Sequence, residues 1–376
     1  MKKKKKWRES FRKWNFLFFF RLIQKVSLRW ARRFFYLAIE DKGIYQESYQ
    51  NPILNISVLR KNFPNPLGIS AGFDTTFKYN DELMAFGFGF EEFGTITLSP
   101  EEMTTHVHFL PSQKGIFVNA HKFENVGVKV AQKALIDRRH LPYIAGINIA
   151  SNLEINEDSA SGGLLFSKIE NELVEIVQRT APFCDYIVLN LSHPQLPVST
   201  LAINISVLEN LIRRLKDVIN KIAPIANPAL LVKIPLDISP AHIPLLSEAL
   251  LNEGIDGVII GGYLGLGPEN RKLIRHYVQG YIAGAPIRTA TTKVIEQFYA
   301  VLQNRIPIIA SGGVFTGDDA FEKIKSGASL IQIHSAILYE GPGIAYKINK
   351  RLAELLRRNG FKDVSEAVGS KFNRPI

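Results

Sequence analysis

Short apolar segments of this sequence are followed by polar residues or by pairs of glycines. Such segments are typical of strands that are buried on both faces. Polar side chains directly after them need hydrogen-bond partners, and a bound ligand is a natural partner. The residues in these positions are Asp74, Thr95, Asn148, Asn190, Lys233, Gly261-Gly262, Gly312-Gly313 and His334-Ser335.

The last two of these positions predict a phosphate site. PIIASGGV contains Gly312 and Gly313, and LIQIHSA contains His334 and Ser335. Glycine lets backbone N–H groups approach an anion closely, and many barrels bind phosphate in the loops after their last two strands. A tight turn without a ligand is the alternative explanation of the glycines.

Lys233, at the end of the segment LLVKI, is a candidate for chemistry. Lysine is rarely buried without a partner. At the mouth of a barrel a lysine can form a Schiff base, bind phosphate or stabilise negative charge on a reduced cofactor.

The elements that must position these residues alternate between strands and helices, which predicts a TIM (β/α)8 barrel. A doubly wound open sheet is the alternative, but no G-x-G-x-x-G follows the first strand. Residues 99–143 and 261–291 are expected to form elaborated loops over the mouth. We predict strands at 67–71, 90–97, 144–149, 186–191, 230–234, 257–260, 307–310 and 330–333, and helices at 166–180, 205–222, 241–252, 292–303 and 318–326.

The length of 376 residues and the 46% apolar content suit one barrel with an N-terminal extension. The division predicted is 1–50 for a helical extension, 51–360 for the barrel and 361–376 for a tail. The single cysteine, Cys184, excludes an intrachain disulfide and is predicted to be buried. No His/Cys group has the spacing of zinc ligands, so we expect no metal.

The net charge of +11 is concentrated at the N-terminus. Residues 1–33 hold thirteen Lys or Arg and one acid, Glu9, so the rest of the chain is nearly neutral. A neutral body argues against a nucleic-acid partner. Basic residues with aromatic anchors at helical spacing indicate contact with an anionic membrane surface, although an amphipathic helix packed on the barrel or an organellar presequence would have similar composition. We expect a peripheral membrane protein, on the cytoplasmic face of the inner membrane if the source is bacterial.

Several stretches between residues 51 and 358 carry a family resemblance by their order, spacing and placement at strand ends. They are NPLGISAGFD (65–74), GFGFEEFGTIT (87–97), GINIASN (146–152), LNLSHP (189–194), LVKI (231–234), IDGVI (255–259), IPIIASGGV (306–314) and GASLIQIHSAILYEGP (327–342). Together they resemble the dihydroorotate dehydrogenases of the membrane-bound, quinone-using class. The resemblance implies a barrel, FMN as cofactor and quinone as electron acceptor.

The resemblance also implies roles for individual residues. Lys233 would lie at the pyrimidine edge of the flavin and stabilise its reduced form. Asn148 and Asn190 would hydrogen-bond flavin or substrate. The flavin would also contact Ala71, Gly72, the chain to Asp74, Thr75 and Thr95, while its phosphate end would lie against Gly284, Gly312, Gly313, His334 and Ser335.

The chain departs from the family pattern mainly at positions that contact substrate. Thr75 replaces the lysine of A-G-x-D-K. In the stretch NLSHPQ, His193 replaces the catalytic serine and Gln195 replaces a substrate-binding asparagine. We interpret His193 either as the general base, because imidazole accepts protons at neutral pH, or as a larger group that fills the pocket.

Two further stretches are altered. NAHKFEN keeps Asn119 and Phe123 as substrate-binding candidates but has Lys122 in place of a glycine, and Gly261-Gly262-Tyr263 replaces Thr-Asn-Thr. Three functions follow as hypotheses. The first is an FMN-dependent oxidoreductase acting on dihydroorotate or, as a diverged paralogue, on a related substrate. The second is a non-catalytic flavin- or phosphate-binding membrane protein, and the third is a barrel enzyme acting on a sugar phosphate.

Overall fold

The fold was analysed in a computed structural model, which describes residues 48–102, 108–109, 116–119, 124–138, 142–153, 163–192, 204–265, 281–341 and 343–372. Within these ranges the strands are β1 (Ile56–Val58), β2 (Lys61–Phe63), β3 (Leu67–Ile69), β4 (Phe90–Ile96), β5 (His108–Phe109), β6 (Ile116–Asn119), β7 (Ile144–Ile149), β8 (Tyr186–Asn190), β9 (Ala229–Ile234), β10 (Gly257–Gly261), β11 (Leu264–Gly265), β12 (Tyr281–Gly284), β13 (Ile308–Ser311) and β14 (Ala328–Ile333).

The helices of the described ranges are α1 (Asn80–Ala85), α2 (Gly127–Arg138), α3 (Gly163–Thr180), α4 (Ile205–Ile222), α5 (Ile243–Asn252), α6 (Arg288–Leu302), α7 (Gly317–Lys325), α8 (Ser335–Glu340), α9 (Ile344–Arg358) and α10 (Val364–Ala367). All five predicted helices are confirmed, with ends that differ by a few residues.

Eight of the strands close into a parallel barrel. Around the barrel they follow chain order, β3, β4, β7, β8, β9, β10, β13 and β14, and β14 pairs with β3 through the register Ile331↔Leu67. The residues of these strands are almost all buried, because side chains inside the barrel and helices outside cover both faces. The predicted (β/α)8 barrel is therefore confirmed, and the open sheet is wrong.

The two long intervals that were expected to cover the mouth contribute strands to one sheet. β11, β12, β6 and β5 form a four-stranded antiparallel sheet, in which β12 and β6 pair with the register Tyr281↔Asn119 and Gly284↔Ile116. The sequence did not predict this sheet, because its strands are only two to four residues long.

The helices follow from local sequence signals. α7 begins with a capping box, in which Thr316 accepts from the backbone N–H of Asp319 and the Asp319 carboxylate accepts in return from that of Thr316. In α4, Leu208, Leu211 and Leu215 recur at helical spacing and are buried. Both helices are thereby fixed to the outside of the barrel.

The end of the barrel opposite the mouth is closed by the hairpin β1–β2. Phe63 lies edge-on against Phe90, with ring centroids 5.3 Å apart, and Lys61 forms an ion pair with Asp185 at 2.6 Å. Cys184 is buried beside this region, as predicted, and burial raises the pKa of its thiol.

The chain beyond 360 returns to the barrel. The backbone N–H of Gly369 donates to the carbonyl of Ile324 and that of Lys371 to the carbonyl of Lys325. The division into extension, barrel and tail stays a prediction, since residues 1–47 lie outside the described residues. Across the described ranges, no helix has both the length and the apolar character to cross a membrane.

Candidate active site

A cavity at the mouth of the barrel is lined by residues at the ends of five barrel strands, β3, β9, β10, β13 and β14, and by residues of β12. Its volume is about 480 Å³, its open mouth included. Among the predicted site residues, those that line the cavity are Ala71, Lys233, Gly284, Gly312, Gly313, His334 and Ser335.

Lys233 is the cation of this cavity. Its side chain is 5% exposed, and its Nζ lies 3.9 Å from Oε1 of the fully buried Glu92. Burial lowers the pKa of Lys233, and the charge of Glu92 opposes that shift. Within the described residues, Nζ has no hydrogen-bond acceptor within 3.5 Å. The ammonium group is therefore available to a ligand that presents an acceptor or a negative charge.

Glu92 is held by two buried amides. Asn148 Nδ2 donates to Oε1 at 2.8 Å, and Gln332 Nε2 donates to Oε2 at 2.6 Å. A buried carboxylate with hydrogen bonds on both oxygens and a nearby cation is a stable arrangement, because its lost hydration is replaced. Glu92 thus fixes a negative charge inside the barrel, directly beside Lys233.

Thr95, Asn148 and Asn190 extend this network. Thr95 Oγ1 donates to Asn148 Oδ1 at 2.8 Å, and Asn190 Nδ2 donates to Thr95 Oγ1 at 3.1 Å. Asn190 Oδ1 in turn accepts from the backbone N–H and the hydroxyl of Ser192. All these side chains are buried, so the three predicted residues form one chain of hydrogen bonds across β4, β7 and β8.

The loop after β3 lies beside the same cavity. Ala71 lines it, and a Cβ atom on Gly72 would lie 3.5 Å from the His334 ring. The carboxylate of Asp74 forms its hydrogen bonds inside the loop, because it accepts from Thr76 and from the backbone N–H of Tyr79. Asp74 therefore holds the shape of the loop, while Thr75 is partly exposed.

The two glycines after β13 let the loop pass close to the beginning of α6 at the edge of the cavity. Gly312 has φ +101° and Gly313 has φ +74°, in the region where side chains are strained. A Cβ atom on Gly313 would lie 2.5 Å from Cα of Arg288. The loop is tied to α6 by Arg288, whose Nε donates to the Gly313 carbonyl at 3.2 Å and pairs with Asp319 at 3.0 Å.

The other predicted phosphate residues stand around this loop. Gly284 ends β12 with φ +91°, and Ser335 begins α8 directly after β14. His334 contacts Phe73 edge-on, with ring centroids 5.7 Å apart. The cavity therefore has two different ends. One end has glycine backbone, a serine and a histidine and can accept an anion, and the other end has the cation of Lys233.

Four of the predicted residues cannot be placed by their side chains. His193, Gln195 and Phe123 lie outside the described residues, and for Asn119 the description covers only the backbone, which pairs with Tyr281. His193 follows Ser192 by one position, and Ser192 is buried next to the network of Asn190. Their roles stay predictions.

Glu92 and Gln332 were missed by reasoning from the sequence. Both lie in the middle of strands, in FEEFGTI and ASLIQI, rather than at strand ends. A signal was present, since charged residues are almost never fully buried unless they are paired. An acidic pair inside an apolar strand could therefore have been read as a site for a cation.

This chain is similar in sequence to known proteins over most of its length. The family model described as "Dihydroorotate dehydrogenase" matches residues 53–356. A dihydroorotate dehydrogenase (quinone) from Rhodospirillum rubrum is 32% identical over 332 residues, covering 88% of this chain and 87% of the relative. The mitochondrial dihydroorotate dehydrogenase (quinone) of Mus musculus is 30% identical over 351 residues, covering 92% and 86%.

Solved structures agree with the fold. The crystal structure of DHODH from Eimeria tenella in complex with ferulenol has a TM-score of 0.80 and 26% identity, covering 90% of this chain and 94% of that chain. The ligand-free form from the same organism also has a TM-score of 0.80, with coverage of 94% and 99%. With a family match across most of its length and a closed barrel of the same type, this chain belongs to the dihydroorotate dehydrogenase family.

Proposed function

We propose that this protein is a quinone-dependent dihydroorotate dehydrogenase that uses FMN and attaches peripherally to a membrane. The observation that carries the proposal is the buried Lys233, which lines the cavity at the barrel mouth and has free hydrogen-bonding capacity within the described residues. The curated relatives are quinone-dependent enzymes of this type.

The cavity fits FMN at both of its ends. Gly284, Gly312 and Gly313 line one end of the cavity with backbone that carries no Cβ atoms, where the phosphate would lie, and Ser335 adds a hydroxyl. Lys233 would hold the pyrimidine edge of the ring, with Ala71 against its face. When bound, FMN would accept a hydride equivalent from the substrate and pass electrons on to quinone.

The protein itself would supply a cation, hydrogen bonds and a base. Lys233 would stabilise negative charge on the ring edge, and Glu92 would keep Lys233 protonated against the effect of burial. Asn148 and Asn190, fixed by Thr95, would orient the ring and the substrate. His193 would remove a proton from the carbon next to the substrate carbonyl, in place of the family's serine.

The altered substrate-side residues motivated two other hypotheses, a different substrate and a flavin protein without catalysis. The relatives do not favour them, because the match to quinone-dependent dihydroorotate dehydrogenases covers most of both chains. A sugar-phosphate enzyme is likewise not supported. Thr75, Gln195 and Gly262 then reshape substrate contacts within the same reaction.

The spectrum of the purified protein tests the proposal. In mild detergent we expect a flavin spectrum that bleaches when dihydroorotate is added without oxygen and recovers when a quinone is added. The Lys233→Met variant tests the role of Lys233 in this cavity, and its flavin should bleach more slowly. A flavin spectrum unchanged by dihydroorotate would contradict the substrate, and a colourless protein would contradict the cofactor.

Membrane attachment is proposed from the charge of residues 1–33. Each basic residue near an anionic surface contributes about 1 kcal/mol. Full-length protein should float with anionic liposomes at low salt. A variant with Lys2 to Lys6 replaced by Gln should float less, whereas replacement of Lys347 and Lys350 on α9 should have no effect. Equal flotation of all three proteins would count against the N-terminal segment as the anchor.

A further inference from the structure

A second cavity lies in the wall of the barrel, outside the strands. This wall cavity lies between α2, the outer face of β4 and the chain around residues 182–185, and its volume is about 1010 Å³, its open mouth included. The residues that define it here are Phe93, Leu135, Arg138, Tyr143, Phe183 and Cys184. These side chains, apart from Arg138, are aromatic, aliphatic or a thiol, while Lys61, Asn80 and Asp185 add polar groups to the lining. None of these residues lines the cavity at the barrel mouth that contains Lys233, called the flavin cavity below.

Arg138 is incompletely satisfied in this cavity. Its Nη2 donates to the Phe77 carbonyl, and its guanidinium lies over the Phe93 ring at 5.5 Å from the centroid. Its Nη1 is buried and has no hydrogen-bond partner within the described residues. A buried guanidinium nitrogen without an acceptor is costly, so an acceptor from outside the chain would stabilise it.

Among the described residues, Arg138 forms no ion pair with a carboxylate. Glu91 is buried nearby, but burial, reinforced by the charge of Asp74, raises its pKa to about 8, so its carboxyl is mostly neutral at pH 7. Asp185, also on the cavity wall, is already paired with Lys61 at 2.6 Å. One positive charge thus remains for a ligand, and it matches a single negative charge.

We propose that the wall cavity binds a small monocarboxylate with an apolar ring-sized body, whose carboxylate pairs with Arg138. The planar guanidinium suits a carboxylate, and Phe93, Tyr143 and Phe183 suit an apolar ring. A phosphate would bring a second negative charge that the described lining leaves unpaired. The proposal concerns a site separate from the flavin cavity.

The site is connected to the flavin cavity through Phe77. Phe77 stacks on Phe93, with ring centroids 4.6 Å apart and planes 13° apart, and its carbonyl is held by Arg138. Phe77 follows Asp74 by three residues in the loop that lies beside the flavin cavity. A carboxylate on Arg138 would therefore also restrain this loop from its outer side.

Titration of the intact flavin-loaded protein with 1-naphthoate tests the proposal, with neutral 1-naphthamide as the matched ligand. We expect saturable binding of one naphthoate and binding of the amide that is weaker by about tenfold or more. Arg138→Gln should weaken naphthoate binding by a similar factor. Arg179→Gln on α3 removes an arginine that is paired with Glu175 and should bind as the unchanged protein does.

A second variant keeps the test valid if Arg138→Gln fails to fold. Ala226 is exposed at the cavity lining, and Ala226→Trp should block entry without disturbing the core. Equal binding by Arg138→Gln or Ala226→Trp would place naphthoate elsewhere, for example in the flavin cavity, and would overturn the proposal. Absence of binding, or equal binding of the amide, would also overturn it.

Discussion

Lys233 and Glu92 face each other inside the barrel, with Nζ and Oε1 3.9 Å apart and both side chains almost completely buried. The two residues come from β9 and β4, which are separated by two strands of the barrel, and neither has another ion-pair partner among the described residues. The pair opposes the loss of hydration that lowers the pKa of Lys233. The protonation of the candidate catalytic lysine therefore depends on Glu92, a residue that does not itself line the cavity.

The first prediction concerns this link. Glu92→Gln removes the charge that opposes the effect of burial, so the pKa of Lys233 should fall further. Activity that needs protonated Lys233 is lost as pH rises through that pKa, so the alkaline limb of kcat should move to lower pH. The pH profile of dihydroorotate oxidation measures this shift.

Glu91→Gln is the control for Glu92→Gln, because it removes the neighbouring buried carboxyl from the outer face of the same strand. Its alkaline limb should stay in place. Identical shifts in both variants would show that disturbance of β4, rather than the charge beside Lys233, is the cause.

The second prediction concerns the positive charge of Lys233 itself. Lys233→Met keeps an unbranched side chain but removes the ammonium group from the cavity. Electrostatic groups of this type typically contribute a factor of about 10² to 10³. Flavin reduction by dihydroorotate, followed by stopped-flow absorbance without oxygen, should slow by about that factor. A rate within about twofold of the original would contradict the assigned role.

The third prediction concerns the phosphate end. Gly313→Ala places a Cβ atom 2.5 Å from Cα of Arg288, so the loop after β13 must shift. We expect the purified variant to retain much less FMN, measured as the ratio of flavin to protein absorbance. Gly360→Ala is a matched control, since Gly360 also has a positive φ (+79°) but has open space at its Cβ position. Equal flavin content in the two variants would argue against a phosphate at Gly313.

The fourth prediction concerns stability. Because the folded-state pKa of Glu91 is raised to about 8, folding favours its protonated form. The contribution of this pKa difference to the free energy of unfolding is fully present below the unfolded-state pKa of about 4.5. It is lost as pH rises through the folded-state pKa of about 8. Glu91→Gln removes this loss, so the variant should exceed the original protein in stability at pH 8 by on the order of 4 kcal/mol, at about 1.4 kcal/mol per pKa unit. Thermal unfolding across pH 5 to 8 should show the two proteins converging toward pH 5, and a constant difference would contradict it.

The fifth prediction concerns His193. If it is the base, it must be neutral, so activity should fall as pH drops below about 6.5. His193→Ala should lower kcat by about 10² or more and abolish this acid limb. His193→Ser should recover part of the activity, with a different pH profile. His242→Ala, in the 3-10 helix before α5, is the control. An acid limb that persists in His193→Ala would assign the base to another group.

The sequence by itself determined the barrel and many of the residues that meet at its mouth. Continuous apolar runs between helical patterns can be buried only when both faces of each strand are covered, and this selects a closed parallel sheet. Residues that follow such runs, among them Asn190, Lys233 and Gly312, must then meet at one end of the barrel. Their common position was predictable because it depends on strand direction alone.

Tertiary structure decided which groups face each other. Glu91 and Glu92 are adjacent and chemically identical, yet Glu92 contacts Asn148 and Gln332 inside the barrel while Glu91 contacts Asn80 on the outside. Only the closure of the sheet fixes which face of β4 is interior. For the same reason the pairing of Lys233 with Glu92, which are 141 positions apart, was not visible in the sequence.

The loops also combine features that the sequence determined with features that only the tertiary structure decided. The sequence marked Asp74 as a residue at a strand end, but the fold turns its carboxylate back onto Thr76 and Tyr79, where it accepts from their backbone N–H groups. Arg138 lies at the end of α2, within residues 99–143, which were expected from the sequence to form a loop. Its guanidinium became part of a cavity only because α2 packs against Phe93, a contact set by the distances between elements rather than by any motif.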